Sequence, residues 1–153
     1  MTTLNRGSDI AAYITSLLEQ ITKANGYHTD IGLTVMRGRR KIDDSHLPCT
    51  VLIEGEDKPD GPTGRTEVAL DQDYVVGGYD FCDPNNPNDQ GHLIIKDIKK
   101  ALWNRNTQGD NFGRRVKSCK YMGKDIGPRA DGEPMIFAVV HLQVRFSETL
   151  DDA

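Results

Sequence analysis

The sequence predicts an α+β fold: an antiparallel or mixed five-stranded sheet with two helices packed on one face, in the order α-β-β-β-α-β-β. Three observations predict it. Two stretches carry apolar residues at helical spacing, and strand-like runs lie between and after them. The last run, Met135 to Ser147, is the clearest strand: Ile136, Ala138, Val140, Leu142, Val144 and Phe146 fall on one face and His141, Gln143 and Arg145 on the other, with Met135, Phe137 and Val139 making the first half of that second face apolar too. The length of 153 residues, with 37% hydrophobic and 27% charged side chains, suits a single domain spanning 1–153 with one core. It is too short for a barrel enzyme of about 250 residues.

The elements follow in order. Residues 8–25 read as an amphipathic helix, with Ser8 as N-cap, Asp9 in the first turn, Ile10, Ile14, Leu17, Leu18 and Ile21 on one face, and Asn25-Gly26 as the stop. Leu33 to Arg37 is a short strand ending at Gly38. Cys49 to Glu54 is a second strand, introduced by Pro48. Residues 55–64, rich in turn chemistry around Asp60-Gly61-Pro62, read as a loop. A long third strand spans Thr66 to Phe81, with a bulge or bend expected at Gly77-Gly78. After the Pro- and Asn-rich loop 83–91 comes a second helix to Trp103, with Asp89 as N-cap and Ile94, Ile98, Ala101 and Leu102 on one face. A polar loop (104–113), a strand from Arg115 to Met122, a turn region (123–134) and the alternating strand complete the domain. The acidic residues 148–153 read as a flexible tail. Two helices cannot cover both faces of such a sheet, so one face is left for solvent or for another subunit.

Charge is divided along the chain. The net value is −4, yet residues 96–124 hold nine basic side chains against Asp97 and Asp110, a local +7 that leaves −11 elsewhere. Such a division fits a dipolar surface that meets a copy of itself, or a weak polyanion binder. Nonspecific proximity to DNA is compatible with it. Sequence-specific recognition is not, because no binding motif accompanies the lysines and arginines. No apolar run is long enough to span a membrane, and the first residues lack a signal-type stretch. Cys49, Cys82 and Cys119 are far apart and form no CxxC pair, which favours reduced thiols.

Catalytic patterns are weak. The histidines His28, His46, His92 and His141 show no metal-ligand spacing. Residues 83–94 fail as a calcium loop, with Asn88 where glycine is required and Ile94 where a bidentate glutamate is required. No phosphate loop and no GxSxG elbow occurs. A metal-dependent nuclease pattern, Asp44 with Glu56 and Lys58, matches loosely, but such short charged patterns arise by chance in a chain this polar. The expectation is therefore no catalytic residues, no metal and no cofactor.

Two segments carry a resemblance. Gly32-Leu-Thr-Val-Met-Arg-Gly-Arg-Arg is followed by Leu47-Pro-Cys-Thr-Val-Leu-Ile-Glu-Gly-Glu, between a first helix ending in Asn-Gly and a second ending in Lys-Lys-Ala-Leu-Trp. The chain thereby resembles the tail terminator, tail completion or minor tail proteins of long-tailed bacteriophages. The resemblance implies a non-enzymatic structural subunit of the virion tail, assembled in the host bacterial cytoplasm. It implies a homo-oligomeric ring, commonly a hexamer, that caps the head-proximal end of the tail tube, stops tube polymerisation and enables head-tail joining. Its partners would be the tail tube protein and a head-tail connector or head-closure protein, with DNA only passing through the ring and no membrane involved. A neighbouring neck or tube protein is the nearest alternative, and the small nuclease a remoter one. A ring requires two different patches per subunit. The charge division nominates Arg37, Arg39, Arg40, Lys41, Lys99, Lys100, Arg114 and Arg115 on one side, and Glu54, Glu56 and Asp57 on the other.

Overall fold

The computed structural model describes residues 3–38, 41–60, 66–127 and 132–151, the side chain of Asp44 excepted. Arg39, Arg40 and the turn chemistry read at 61–65 lie outside the described residues. Helix α1 spans Gly7–Leu18 and helix α2 spans Pro87–Trp103. The strands are β1 (Val35–Arg37), β2 (Cys49–Asp60), β3 (Glu67–Phe81), β4 (Ser118–Ile126) and β5 (Met135–Thr149). They form one mixed sheet in the order β1-β2-β3-β5-β4, with β1 parallel to β2 and every other pair antiparallel. The fold class and element order are those the sequence predicts.

Strand register sorts the sheet into two faces. Leu52 pairs with Val76 and Val76 with Val140, Tyr74 with Leu142, Leu70 with Phe146, and Gly78 with Ala138. These side chains meet Ile10, Ala11, Ile14 and Leu18 of α1 and Ile94, Ile98, Ala101 and Leu102 of α2 in one core. Gly78 explains how closely α2 sits: an added Cβ would lie 2.4 Å from Ile94 and 3.0 Å from Ile31. The expected bulge at Gly77-Gly78 does not form, because β3 keeps register through both residues. Gly78 is a glycine for close packing instead, whereas a Cβ on Gly77 would make only ordinary contacts at 3.5 Å. The bulges fall between Glu54 and Asp57 in β2 and between Tyr121 and Gly123 in β4.

Several boundaries differ from the sequence reading, each for a tertiary reason. α1 stops at Leu18, not Asn25, because Gly32 crosses its end and donates its N–H to the Ile21 carbonyl at 2.8 Å. Gly26, with φ +89°, closes only a short 3-10 turn over Lys23–Asn25. Arg6, not Ser8, is the N-cap of α1, and the Arg6 carbonyl receives the Asp9 and Ile10 N–H groups. α2 begins at Pro87 with Asn86 as its cap, not at Asp89, since proline at the first position gives up an N–H that has no helical partner. β2 continues past its bulge to Asp60, so 55–60 is strand rather than loop. β4 is shifted to Ser118–Ile126. Glu148 and Thr149, read as tail, pair with Val68 and Glu67 at the end of β5.

One buried acid ties the layers together. Asp97 is fully buried on α2 and accepts the His28 N–H at 3.1 Å, the Thr29 N–H at 2.8 Å and the Thr29 hydroxyl at 2.7 Å. That anchors segment 27–31 on the helix. Ile31 then enters the core, and its carbonyl accepts the Thr50 hydroxyl of β2 at 2.8 Å.

Candidate assembly surfaces

The two edges of the sheet carry opposite charge. At one edge lies β4, with no strand on its outer side among the described residues. α2 buries Gly91, Ile94, Ile95, Asp97, Ile98, Ala101 and Leu102, and this turns Lys96 and Lys100 outward. The Trp103 indole N–H donates to the Cys119 carbonyl at 2.8 Å, and its ring meets Tyr121 edge-on at 5.7 Å, which docks β4 on the end of α2. Lys99 lies 4.6 Å above the same Tyr121 ring. Lys120, Tyr121, Met122 and Lys124 are exposed along β4.

The opposite edge is the outer half of β2. β1 is only three residues long and pairs with Thr50, Val51 and Leu52 alone. From Glu54 to Asp60 every side chain is exposed. Arg37 reaches Glu54 at 3.4 Å, Lys58 reaches Asp73 at 3.7 Å, and Arg145 bridges Asp60 and Asp71. Among the described residues Glu56 and Asp57 have no ion-pair partner. The Glu148 carboxyl is held above the usual range by burial and by the Asp57 charge beside it.

The face away from the helices is graded. At one end Cys49, Tyr79 and Phe137 align across three strands, and the two rings stack at 5.2 Å. Phe137 lies on Gly127, where any Cβ would collide with the ring. Val51, Gly77 and Val139 form the next row, then Ile53, Val75 and His141. Beyond them the face becomes charged, with Lys58, Asp71 and Arg145 in one row and Asp73 bonded to Gln143 at 3.1 Å.

The other nominated residues are spread over the molecule. Lys100 lies 4.7 Å above Tyr27. Arg115 lies 4.9 Å above Tyr13 and donates to the Phe112 carbonyl at 3.1 Å, so it clasps the 104–117 loop onto α1. Phe112, fully buried at φ 51°, is the pin of that loop. Arg114 and Lys41 are exposed. The structure gathers Glu54, Glu56 and Asp57 into one patch and sets Lys99 in another. Sequence reasoning passed over Lys120 and Lys124; the bulge between Tyr121 and Gly123 sets Lys120 opposite Gln143 on the helix-free face and Lys124 opposite Val140 on the helix face, so the two are exposed on opposite faces of the edge strand.

The catalytic alternatives do not converge. His46 Nδ1 accepts the Asp43 N–H at 3.1 Å, and the Ser45 hydroxyl and N–H lower the Asp43 pKa. Glu56 lies seven residues along β2 from Cys49, on the order of 20 Å, whereas the 44–46 turn precedes Cys49 at the other end of the strand. Among the described residues no group of three or more His, Cys, Asp or Glu side chains is placed to hold a metal. Burial raises the Cys49 thiol to about 11 and Cys119 to about 12. A groove of about 620 Å³ between Ile42, Asp43, Ser45 and Glu133, Pro134, Met135 carries no convergent catalytic set. No described helix is long and apolar enough to cross a membrane.

No protein-family model matches the chain, and no curated protein matches it. Among solved structures it is similar to a chain in the virion of a native gene transfer agent (GTA) particle, with a TM-score of 0.52 and 12% identity, covering 87% of this chain and 93% of that one. At that identity the likeness is one of fold, and it extends over nearly the whole of both chains.

Proposed function

We propose that this chain is a structural virion protein of phage type, a tail terminator whose ring caps the head-proximal end of the tail tube, stops its growth and presents a surface for head joining. The observation that carries the reading is the fold shared, over most of both chains, with a chain of a gene transfer agent virion. Opposite charges on opposite sheet edges support it, since a closed ring needs two unlike patches on each subunit. The test is size-exclusion chromatography with light scattering, followed by negative-stain imaging with purified tail tubes. The expected result is a closed oligomer, a hexamer on the family resemblance, seated on one end of the tube. Open filaments would instead favour a tube protein. A protein that stays monomeric at high concentration, alone and with tube protein, refutes the ring.

A further inference from the structure

The 620 Å³ groove and the buried thiols carry no convergent chemistry, and the apolar rows of the helix-free face show nothing that names their occupant. The two sheet edges do name theirs. Resting on the ring reading, we propose that successive copies join head to tail by the basic β4 edge of one copy docking on the acidic outer β2 edge of the next. Lys120 and Lys124 face Glu56 and Asp57.

Four observations carry this. β4 and the outer half of β2 are the two ends of one sheet, so a simple repeat of the molecule brings them together. Their exposed charges are opposite. On β4 only Asp125 is acidic; by register it lies on the helix-free face opposite Val139, the face that Lys120 shares opposite Gln143, while Lys124 lies on the helix face opposite Val140. On outer β2 the lone lysine, Lys58, is held by Asp73. Pairing either edge with itself would set like charges against each other, which selects unlike pairing over a two-fold dimer. Finally, Tyr121 and Met122 are 40% and 48% exposed between Lys120 and Lys124, an apolar centre with a charged rim of the kind protein interfaces use.

Contact is made through side chains, not by an added strand. The bulge at Glu54/Asp57 and the missing N–H of Pro59 interrupt any ladder on the β2 edge. The Gly55 carbonyl is already taken by the Gln72 amide at 2.6 Å. A charged, interrupted edge lets subunits meet at an angle instead of extending a flat sheet.

The experiment uses the full chain and exposed positions only. Lys120→Glu with Lys124→Glu reverses one edge, and Glu56→Lys with Asp57→Lys reverses the other. Each double variant is expected to keep the wild-type melting temperature and to self-associate more weakly by on the order of tenfold or more. An equimolar mixture of the two double variants, in which every contact is again between opposite charges, is expected to recover the oligomer. So is the chain carrying all four changes. Raised salt weakens the wild-type oligomer. Oligomers untouched by either reversal would overturn this interface and leave the ring standing. Weakening by both reversals without recovery in the mixture also overturns the pairing. A wild-type chain monomeric in every setting sinks the ring reading and this one with it. Binding of duplex DNA that is lost in the lysine variant, with no self-association in wild type, reassigns the basic edge to a polyanion and overturns the proposal.

Discussion

Replacing Asp97 by alanine tests how the two helices and the sheet are held together. The carboxylate is fully buried and serves three donors: the His28 N–H at 3.1 Å, the Thr29 N–H at 2.8 Å and the Thr29 hydroxyl at 2.7 Å. Alanine leaves three donors without their acceptor, the two of Thr29 in a buried site and the His28 N–H partly buried. Each unsatisfied buried donor costs about 1–3 kcal/mol. The hydroxyl is free to turn to another acceptor, so the expected loss is about 3–5 kcal/mol. In a domain of this size that lowers the melting temperature by about 6–20 °C. Asp97→Asn keeps the shape and one acceptor oxygen but aims an amide N–H at backbone donors, and falls between alanine and wild type. Urea unfolding followed by circular dichroism measures both. Amide exchange at His28 and Thr29 accelerates in the alanine variant before the core strands open. A double-mutant cycle with Thr29→Val returns a coupling of at least about 0.5 kcal/mol. A loss below about 1 kcal/mol for Asp97→Ala, or zero coupling with Thr29, refutes the anchoring role.

Other outcomes follow from the same packing. The Tyr74 hydroxyl is buried without a hydrogen-bond partner among the described residues, so Tyr74→Phe leaves urea stability unchanged or raises it by up to about 1 kcal/mol; a loss of more than that points to a bond the geometry does not contain. Gly78→Ala pushes a methyl group onto Ile94 and costs about 1–3 kcal/mol, whereas Gly7→Ala, with nothing within 4 Å, costs nothing; equal melting temperatures for the two would contradict the close approach of α2. In native buffer a thiol reagent modifies Cys82 first and reaches buried Cys49 and Cys119 only through opening, so three equal rates would be inconsistent with the fold. Burial raises the Asp80 pKa above its ordinary 3.8, against the lowering hydrogen bonds from the Phe81 N–H and Gln90. Its contribution is therefore favourable below the unfolded pKa and lost as pH rises through the folded one. Asp80→Asn is expected to be more stable than wild type at neutral pH, with the difference shrinking as pH falls toward 3.8; a pH-independent difference would remove burial as the cause.

Reading the sequence worked best where one strand faces one core. The alternation of Ile136 to Phe146 requires no knowledge of neighbours, and all six predicted inward residues of β5 are buried. It worked least where a neighbour decides. Gly55 and Pro59 look like loop residues, yet an edge strand tolerates both because only one side is paired. α1 looked longer because Ile21 continues the apolar spacing; Ile21 is indeed buried, but beyond the helix end, where Gly32 takes over its carbonyl. Asp97, set among Lys96, Lys99 and Lys100, reads as a surface charge. Its position between Ile94 and Ala101 on the buried stripe was the available signal, and its partners lie 68 and 69 residues away. The acidic half of the candidate surface was legible because Glu54, Glu56 and Asp57 lie on one run of chain. The basic half required the register of β4.

A count of charges therefore overstates how much of the +7 segment faces a partner. Lys99, Lys100 and Arg115 each have an aromatic ring beneath them, and Arg115 also secures the loop that seats Phe112 in the core. Cation–ring contacts of this kind contribute about 0.5–1 kcal/mol at exposed sites. Reversing these three charges would lower oligomer yield through weakened folding even if none touched a neighbour. Lys120 and Lys124 have no such inward duty, so a defect confined to them, with an unchanged melting temperature, belongs to the interface. The two classes lie within one stretch of chain and separate only when stability and assembly are measured on the same variant. A variant of Arg115 that loses assembly and melting temperature together, beside a Lys120/Lys124 variant that loses assembly alone, is the pattern that distinguishes a folded subunit with a charged edge from a chain whose basic segment merely holds itself together.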